Sequence, residues 1–492
     1  MKIGDAMKKC SNRPFRFRGL THKDFAPLRN LLVESGYTQE GVFGRLQAQD
    51  LYETSYLMTP VYNEIFLKED TPLNILMALF YIFASRPEEK VRRIMGDDLF
   101  DMLIKVGILE VDEYGCKSNI DIFPCRGRYI ATDHRYETLC PKNTVYPLGV
   151  DSYGLARAIT GRPYARVLDL CTGSGIQGIM AAGSARQVTC VDINQRALEF
   201  VKLNAMINGL TNVRTVKGNL YEAVAGEEFD LILANPPFVP SPEEDRLLFR
   251  DGSASGDSVL REIVAGLPRH LAPGGLSQIY TLIPVTDGNF NDRVKGWLQD
   301  GSFHVMTMVH LETNNFWFLK SHVNPVREAN YYDKLVRWMQ SLIDEGIKKV
   351  SYGIINIAPA VKSPPQYRHK DYQLVPGECS YMVDIPMNML DRLNDPEFHR
   401  EIPNMVFRFN EKVDRHWEAT APDGSHSYGV RFAEGYFFEH LHIDQGQKMI
   451  LDLVTRGMTR GEKIQEEYKK AGGNDFIPKL ADLLENLVLM AD

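Results

Sequence analysis

The sequence predicts an α/β protein whose centre is a parallel, doubly wound sheet, flanked by two smaller α+β modules. Helix-like segments alternate with short apolar runs in the middle of the chain, notably NQRALEFVKLNAMING, which ends at Gly209. These runs lack strict alternation, as expected of strands buried on both faces. They are RVLDLC, QVTCVDI, VRTVKG, DLILANP and LSQIYTLIPV. Strands that alternate with helices imply a parallel sheet with helices on both faces.

The length of 492 residues is too great for one ordinary domain and indicates about three. Residues 1–20 predict a disordered arm. Its basic residues are Lys8, Lys9, Arg13, Arg16 and Arg18. Residues 21–140 predict helices followed by a small strand pair, a winged-helix-like accessory domain.

The central domain is expected over residues 141–365, with FHVMTMVHL and VSYGIINIA as its last two strands. The segment between them, about 312–347, is expected to be an insertion carrying one helix, YYDKLVRWMQSLIDEG. Residues 366–492 predict strands with a turn at Pro422-Asp423-Gly424, followed by amphipathic helices. This third module is interpreted as a second α+β accessory domain, with a peptide-binding winged helix, a generic winged helix and a dimerisation module as the alternatives.

Composition excludes several classes of protein. The hydrophobic content of 44% with 24% charged residues is that of a soluble globular protein. The longest apolar run, ILMALFYIFA, is about half of what spans a membrane. A net charge of −8 argues against broad binding to nucleic acid, which favours a basic excess. Seven cysteines without paired spacing argue against a disulfide framework and indicate a reducing, cytoplasmic setting.

The first candidate site is the stretch VLDLCTGSGIQG, where a strand ends at Asp169 and three glycines follow, Gly173, Gly175 and Gly178. Glycines here allow a ligand to approach the backbone and the next helix to pack close to the strand. The spacing also satisfies the dinucleotide-binding fingerprint, so an NAD-dependent dehydrogenase would show the same string. A tight turn without any ligand is the remaining alternative.

Asp192 in CVDIN ends the next strand. An acid at this place accepts hydrogen bonds from both ribose hydroxyls of an adenosyl cofactor. The alternative is that Asp192 caps the following helix. Together with the glycine loop, Asp192 predicts an adenosine-containing cofactor, with NAD and S-adenosylmethionine both open.

The stretch DLILANPPF places Asn235 at the carboxyl end of a third strand, where ligands of open α/β sheets bind. Pro236 and Pro237 stiffen the turn and remove backbone donors. The turn therefore presents the Asn235 side-chain oxygen and the Pro236 carbonyl, with Phe238 beside them. Acceptors next to an aromatic ring suit a planar –NH2 group, and hydride transfer needs no such arrangement.

The segments DLCTGSG, VDIN, GNL and NPPF, in this order and roughly this spacing, resemble class I S-adenosylmethionine-dependent methyltransferases, which have a Rossmann-like fold. More narrowly, the chain resembles the amino-methyltransferases with the signature [N/D]-P-P-[F/Y/W]. The nearest likeness is to the release-factor glutamine methyltransferases and the small RNA methyltransferases. The resemblance covers about 141–360 and includes LFRDGSASGDSVLREIVAGLPRHLAPGGL, which is similar to the glutamine group.

The resemblance implies S-adenosylmethionine as cofactor and a role for each matching residue. Asp169, Gly173 and Gly175 would hold its methionine end, Asp192 its ribose and Ile193 its adenine. Asn219 stands where the family often has an acidic residue for the adenine amino group. The full set implied to bind the cofactor is Asp169, Cys171, Thr172, Gly173, Ser174, Gly175, Gly178, Asp192, Ile193, Asn219, Leu220 and Asn235. The catalytic set is Asn235, Pro236, Pro237 and Phe238.

Residues 146–159, YPLGVDSYGLARAI, lie where relatives have a loop that closes over the cofactor, but their match is poor. No metal site is expected. EHLHID, with Glu439, His440, His442 and Asp444, is interpreted as an ordinary strand, and Cys171 and Cys190 as packing residues rather than nucleophiles.

Three functions remain open from the sequence. The preferred one is N-methylation of a planar sp2 nitrogen, the Gln or Asn side-chain amide of a protein or peptide, without a membrane partner. The second is methylation of adenine N6 or guanine N2 in RNA or DNA, with the flanking modules binding nucleic acid. The third is a nicotinamide-dependent dehydrogenase or an inactive binding module.

Overall fold

The computed structural model describes the chain except for a set of short segments, which are 1–13, 49–52, 55–57, 135–142, 244–248, 300, 324–329, 373–379, 393–394, 422, 424, 434–439 and 492. Within the described residues, no helix is long and apolar enough to cross a membrane.

The N-terminal region consists of helices followed by two antiparallel hairpins. The helices are α1 (Ala26–Glu34), α2 (Gln39–Leu46), α3 (Thr59–Val61, continued by a π-helix Tyr62–Phe66), α4 (Pro72–Phe80), α5 (Glu88–Met95) and α6 (Asp97–Val106). The hairpins pair β1 (Leu109–Asp112) with β2 (Gly115–Ser118), and β3 (Asp121–Cys125) with β4 (Arg128–Thr132). The sequence predicted one strand pair here, and the structure has two.

The N-terminal region shares a continuous core with the central domain. Phe80 and Phe123 belong to the same buried cluster as Phe200 from the sheet-flanking helix Gln195–Ile207. Residues 14–20 of the arm, which were expected to be disordered, also pack here. Phe15 stacks on Phe17 with ring centroids 5.1 Å apart and meets Phe200 edge-on at 5.0 Å. Burial of these rings holds this part of the arm in place, whereas residues 1–13 lie outside the described residues.

The central domain is built on an eight-stranded sheet with helices on both faces. Its strands are β5 (Tyr164–Leu170), β6 (Ala185–Asp192), β7 (Val213–Lys217), β8 (Phe229–Ala234), β11 (Leu271–Val285), β12 (Phe303–Asn314), β13 (Lys349–Pro359) and β14 (Tyr367–Asp371). A short separate ladder joins β9 (Val239–Pro240) and β10 (Asp251–Ser253). The helices between them are α7 (Val150–Ala158), α8 (Ile176–Ala181), α9 (Gln195–Ile207), a 3-10 turn (Leu220–Val224), α10 (Ser258–His270), α11 (Phe290–Trp297), α12 (Asn315–His322) and α13 (Tyr331–Asp344).

The strand order is β14-β12-β13-β11-β8-β5-β6-β7. The five strands from β11 to β7 are parallel to one another, which confirms the predicted α/β class. The other end departs from a purely parallel sheet, because β13 is antiparallel to both β11 and β12. An apolar run reports that a strand is buried and carries no information on its direction, so this reversal was not visible in the sequence.

The insertion between β12 and β13 contains two helices, α12 and α13, where the sequence predicted one. Helix α12 was missed because its eight residues show no amphipathic period: Phe318 and Leu319 are buried while the preceding Phe316 and Trp317 are exposed. The sheet also continues to Asp371, beyond the expected boundary at 365, because β14 pairs in parallel with β12.

The C-terminal region packs on the reversed end of the sheet. It comprises α14 (Tyr381–Arg392), α15 (Pro396–Glu401, with a 3-10 turn Ile402–Asn404), β15 (Phe407–Phe409), β16 (Val413–Thr420), β17 (His426–Phe432), β18 (His440–Ile443), α16 (Gln445–Thr455), α17 (Gly461–Lys470), α18 (Phe476–Glu485) and β19 (Leu489–Ala491). Phe398 and Leu480 lie in one core cluster with Tyr280 and Met306 of the sheet. His440 and His442 lie on β18, as predicted, and no group of three metal-ligating side chains occurs among the described residues. Glu439 lies outside the described residues.

Candidate active site

A cavity of about 570 Å³ lies beyond the carboxyl ends of β5, β6 and β8. Three loops that the sequence singled out meet there. The predicted residues that line it are Cys171, Thr172, Gly173, Ser174, Asp192, Ile193, Asn219, Leu220, Asn235, Pro236, Pro237 and Phe238. Parallel strands bring their carboxyl ends to one edge of a sheet, so residues far apart in sequence converge.

Asp169, Gly175 and Gly178 are not among the residues that line the cavity, and their expected contact with the cofactor stays a prediction. Asp169 Oδ2 accepts hydrogen bonds from Thr172 Oγ1 at 2.5 Å and from the Gly178 backbone N–H at 2.9 Å. The Asp169 carboxyl group therefore stabilises the glycine loop through these two hydrogen bonds. Burial raises the pKa of Asp169 to about 7.

The glycines of this loop serve packing and turn geometry. A Cβ on Gly178 would lie 2.6 Å from Cys190 Sγ, so α8 approaches β6 only because this residue has no side chain. Gly175 has φ +83°, and a Cβ there would lie 2.8 Å from Val201 Cγ2. Gly173 differs, because at φ +53° its Cβ position meets no atom of the structure within 4 Å and faces open space.

Asp192 is held in place by the loops on either side of it. Its Oδ2 accepts from the Gly173 N–H at 2.9 Å and its Oδ1 from the Asn194 N–H at 2.8 Å. The alternative role as a helix cap is wrong, because the cap of α9 is Asn194, whose side chain accepts from the Arg196 N–H. Burial raises the pKa of the Asp192 carboxyl. Ile193, on the rim, exposes an apolar surface beside it.

Asn235 has a fixed orientation because of a carboxylate 84 residues earlier in the chain. Its Nδ2 donates to Asp151 Oδ2 at 2.8 Å. Its Oδ1 is buried and has no hydrogen-bond partner within the described part of the chain. Since the amide nitrogen is engaged, the oxygen is the group left to face a ligand. Burial raises the pKa of Asp151, and the hydrogen bond from Asn235 opposes that rise.

Three buried acceptor atoms cluster in this part of the protein without a donor among the described residues: Asp169 Oδ1, Gln177 Oε1 and Asn235 Oδ1. Gln177 and Asn235 line the cavity. Gln177 is oriented in the same way as Asn235, because its Nε2 donates to the Ser152 carbonyl at 3.0 Å. Leaving a buried acceptor unpaired costs about 1–3 kcal/mol, so the two cavity-lining oxygens, of Gln177 and Asn235, indicate a ligand that brings N–H donors.

One wall of the cavity is aromatic. Phe238 has its ring centroid 6.0 Å from that of Tyr280 and 6.4 Å from that of Tyr352. The Tyr280 hydroxyl lies 2.7 Å from His310 Nε2, and burial lowers the pKa of His310 to about 4. Tyr146 stacks on Phe249 at 5.6 Å in the same cavity lining.

Residues Asn143 to Tyr146 enter the cavity from the N-terminal side. Asp133 Oδ2 accepts from the Val145 N–H at 2.8 Å, and Arg196 Nε donates to both oxygens of the same carboxylate. Asn194 Nδ2 donates to the Asn143 carbonyl at 3.2 Å. These bonds anchor the segment to the start of α9, next to Asp192.

Sequence reasoning missed part of this lining. The missed residues include Asn143, Thr144, Val145, Tyr146, Val150, Asp151, Ser152, Gln177, Phe249, Arg250, Tyr280, Ser321, His322 and Tyr352. Residues 146–159 were singled out as a segment, and Asp151 within them was the one detectable signal. Tyr280 lies on β11 and Tyr352 on the antiparallel strand β13. Their proximity depends on the register between these two strands, which the local sequence does not show.

A family model described as the methyltransferase small domain matches residues 150–282, which contain the glycine loop, Asp192 and NPPF. A "Putative protein N5-glutamine methyltransferase" of Methanocaldococcus jannaschii is 33% identical over 141 residues, which are 27% of this chain and 71% of the relative.

The chain belongs to the methyltransferase small-domain family.

Two further relatives of this methyltransferase-family protein are bacterial. A release factor glutamine methyltransferase of Xylella fastidiosa is 41% identical over 121 residues, 22% of this chain and 44% of the relative. A ribosomal protein uL3 glutamine methyltransferase of Bradyrhizobium diazoefficiens is 39% identical over 137 residues, 25% of this chain and 43% of the relative. The chain thus spans less than half the length of these two relatives. Membership in the family overturns the dehydrogenase alternative raised by the glycine spacing.

Solved structures similar to this methyltransferase-family protein include a ribosomal protein L11 methylase from Lactobacillus delbrueckii. The match covers 42% of this chain and 75% of the methylase chain at 20% identity, with a TM-score of 0.24. The tRNA m1G37 methyltransferase of Methanocaldococcus jannaschii covers 56% and 70% at 13% identity, with a TM-score of 0.30. Likenesses at these scores carry no argument about this chain.

Proposed function

We propose that this protein is an S-adenosylmethionine-dependent N-methyltransferase that acts on the side-chain amide of glutamine in a protein or peptide. The observation that carries the proposal is Asn235, whose amide nitrogen is bound by Asp151 and whose buried oxygen stands unpaired in the cavity beside Phe238. The names of the relatives, which are glutamine methyltransferases, support the choice of an amide.

The residues present fit S-adenosylmethionine. Asp192, with both oxygens oriented by backbone N–H groups, would accept from the ribose hydroxyls, and Ile193 would cover one face of the adenine. The open face of Gly173 leaves room for close approach to the backbone. Gln177 Oε1, which is unpaired and buried, would accept from the ammonium group of the methionine end. Asn219 remains our candidate for the adenine amino group.

When bound, this cofactor supplies an electrophilic methyl group on sulfur, which a nitrogen lone pair can displace. The lone pair of an amide nitrogen is delocalised and therefore a poor nucleophile. Asn235 Oδ1 and the Pro236 carbonyl would accept the two N–H bonds of the acceptor amide and favour a pyramidal nitrogen. Phe238 would pack against the amide plane, and orientation of this kind contributes about 7–11 kcal/mol in well-aligned reactions. The nitrogen becomes acidic once methylated, so we assign no general base.

The charges of Arg250, which lines the cavity, and of the insertion and its flanking strands support a polypeptide over a nucleic acid. Arg250 pairs with Asp251 at 2.6 Å, and Arg337 and Lys334 both pair with Glu243, at 3.3 and 3.6 Å. Lys349 pairs with Glu312 at 2.6 Å. Phosphate backbones are bound through several available cations, and these four basic groups are each paired with a carboxylate.

The experiment is transfer of a radiolabelled methyl group from S-adenosylmethionine into cell lysate. We expect counts that survive RNase, disappear with protease and yield labelled methylamine after acid hydrolysis, because hydrolysis of N5-methylglutamine releases it. Asn235→Ala is the control variant and should lose transfer while binding the cofactor within a few fold of the wild type. Counts that vanish with RNase and survive protease would establish the nucleic-acid alternative instead.

Two further expectations remain proposals. The C-terminal region, 366–492, would bind part of the protein substrate. This is supported by the core that it shares with Tyr280 of β11 and Met306 of β12.

A cytoplasmic setting is supported by the odd number of cysteines, seven, without paired spacing.

A further inference from the structure

Helix α12, in the insertion, leads outward from the cavity that would hold the acceptor amide. Ser321 and His322, in its last turn, line that cavity together with Phe249 and Arg250. The helix is firmly held. Phe318 and Leu319 are buried, and Asn314 caps its first turn by accepting from the Trp317 N–H at 3.0 Å.

The outer face of the helix carries two aromatic side chains next to each other. Trp317 is 60% exposed and Phe316 is 75% exposed. Trp317 precedes Ser321 by four residues, so the two lie on the same face about one helical turn, 5.4 Å, apart. Helix α13, which packs on α12, adds Val336 and Tyr332, exposed by 70% and 79%. Single exposed apolar residues are common, whereas a group beside an active-site mouth marks an interaction surface.

Helix α12 carries one lysine on this surface, Lys320, and the neighbouring α13 carries the exposed Asp333. Lys320 Nζ lies 4.7 Å from the centre of the Trp317 ring, and no carboxylate pairs with it within the described part of the chain. The basic groups of the neighbouring α13, Lys334 and Arg337, are both paired with Glu243. An aromatic surface with one available ammonium group complements a polypeptide that presents an apolar and an acidic side chain. A phosphate backbone would leave most of its charges without a partner.

We infer that the exposed face of α12 binds the polypeptide that carries the acceptor amide. Trp317 would pack against an apolar or aromatic side chain of that polypeptide, and Lys320 would pair with an acidic one. An extended chain advances about 3.3 Å per residue, so one helical turn corresponds to about two residues. Since Ser321 lines the cavity that would hold the amide, the apolar side chain stands at least two residues from the methylated glutamine. This inference rests on the proposed function and names the substrate's local sequence.

The test uses synthetic peptides with one central glutamine in an alanine and serine background, with a single tryptophan moved through the flanking positions. Methyl transfer is measured for the full-length wild type, Trp317→Ala, Lys320→Ala and Tyr114→Ala. Tyr114 is 68% exposed in the turn between β1 and β2 and serves as the matched control. Thermal unfolding of each variant verifies that it folds.

We expect kcat/KM of the wild type to be about tenfold higher with tryptophan at one fixed position, at least two residues from glutamine, than with the background peptide. Trp317→Ala should lose this preference and keep the wild-type rate on the background peptide, and Tyr114→Ala should behave as the wild type. Adding an aspartate next to the tryptophan should raise kcat/KM, and Lys320→Ala should abolish that increase.

Two results overturn the inference alone. One is transfer to glutamine that is independent of the tryptophan position or unchanged in Trp317→Ala. The other is inhibition by short single-stranded RNA that the wild type shows and Trp317→Ala loses, which would assign the surface to nucleic acid. Absence of transfer to every peptide, with cofactor binding intact, would refute the proposed function itself and the inference with it.

Discussion

Replacing Asp151 by alanine removes the carboxylate that accepts a hydrogen bond from Asn235 Nδ2 at 2.8 Å. The Asn235 amide could then rotate and present its NH2 group, instead of Oδ1, to an incoming –NH2 group. Donors would face donors, so the loss should be in the acceptor reaction and not in binding of S-adenosylmethionine. Asp151→Asn is the matched variant, because its side-chain oxygen can still accept from Asn235.

The expected size of the effect follows from the bond that is lost. Asp151 is buried, and a hydrogen bond to a charged group contributes about 1.5–3 kcal/mol. At about 1.4 kcal/mol per factor of ten, Asp151→Ala should lower kcat/KM for the acceptor by roughly 10- to 150-fold. Asp151→Asn keeps the bond in a neutral form and should lose about tenfold or less.

The assay combines isothermal titration of S-adenosylmethionine with initial rates of methyl transfer to a glutamine peptide. Cofactor affinity should stay within a few fold in both variants, while kcat/KM for the peptide falls in the order wild type, Asp151→Asn, Asp151→Ala. A fully active Asp151→Ala would refute the claim that this carboxylate orients Asn235. Equal losses of cofactor affinity and turnover would also refute it, because Asp151 would then be a cofactor-binding group.

Two further predictions concern the glycine loop and the helix after it. Gly178→Ala should destabilise the protein by about 1–3 kcal/mol, because its Cβ would lie 2.6 Å from Cys190 Sγ. Gly183→Ala is the control, since its Cβ position lies 3.5 Å from Arg128 Nη2, and it should unfold with a midpoint near that of the wild type. Similar midpoints for both variants in thermal unfolding would contradict the packing role. Burial raises the pKa of Asp169 from 3.8 to about 7, so its contribution to stability is fully present below pH 3.8 and is lost as the pH rises through 7. Compared with Asp169→Asn, the wild type should therefore lose up to roughly 4 kcal/mol between pH 4 and pH 8, and parallel denaturant-unfolding curves for the two proteins would disprove the assignment.

The strands of the central sheet were predictable because burial on both faces leaves a continuous apolar run in the sequence. The same argument failed for β13, since the run VSYGIINIA reports burial and not direction, and the strand lies antiparallel to both neighbours. Helix α12 was missed for a different reason. Its buried Phe318 follows two exposed aromatic residues, so the apolar residues show no helical periodicity. Residues 14–20 look like a polar arm in sequence, yet Phe15 finds its partner, Phe200, in a helix of the central domain.

For the site, the sequence by itself determined the chemical groups at three strand ends: the glycine loop, Asp192 and the acceptors of NPPF. Their spacing along the chain was sufficient to predict that they meet, because the carboxyl ends of parallel strands lie at one edge of the sheet. Only the tertiary structure decided that Asp169 supports the loop instead of lining the cavity, and that Asp151 orients Asn235. Contacts across 84 residues depend on how α7 packs over the sheet, and side-chain orientation is set by the partner that each polar atom meets when it is buried.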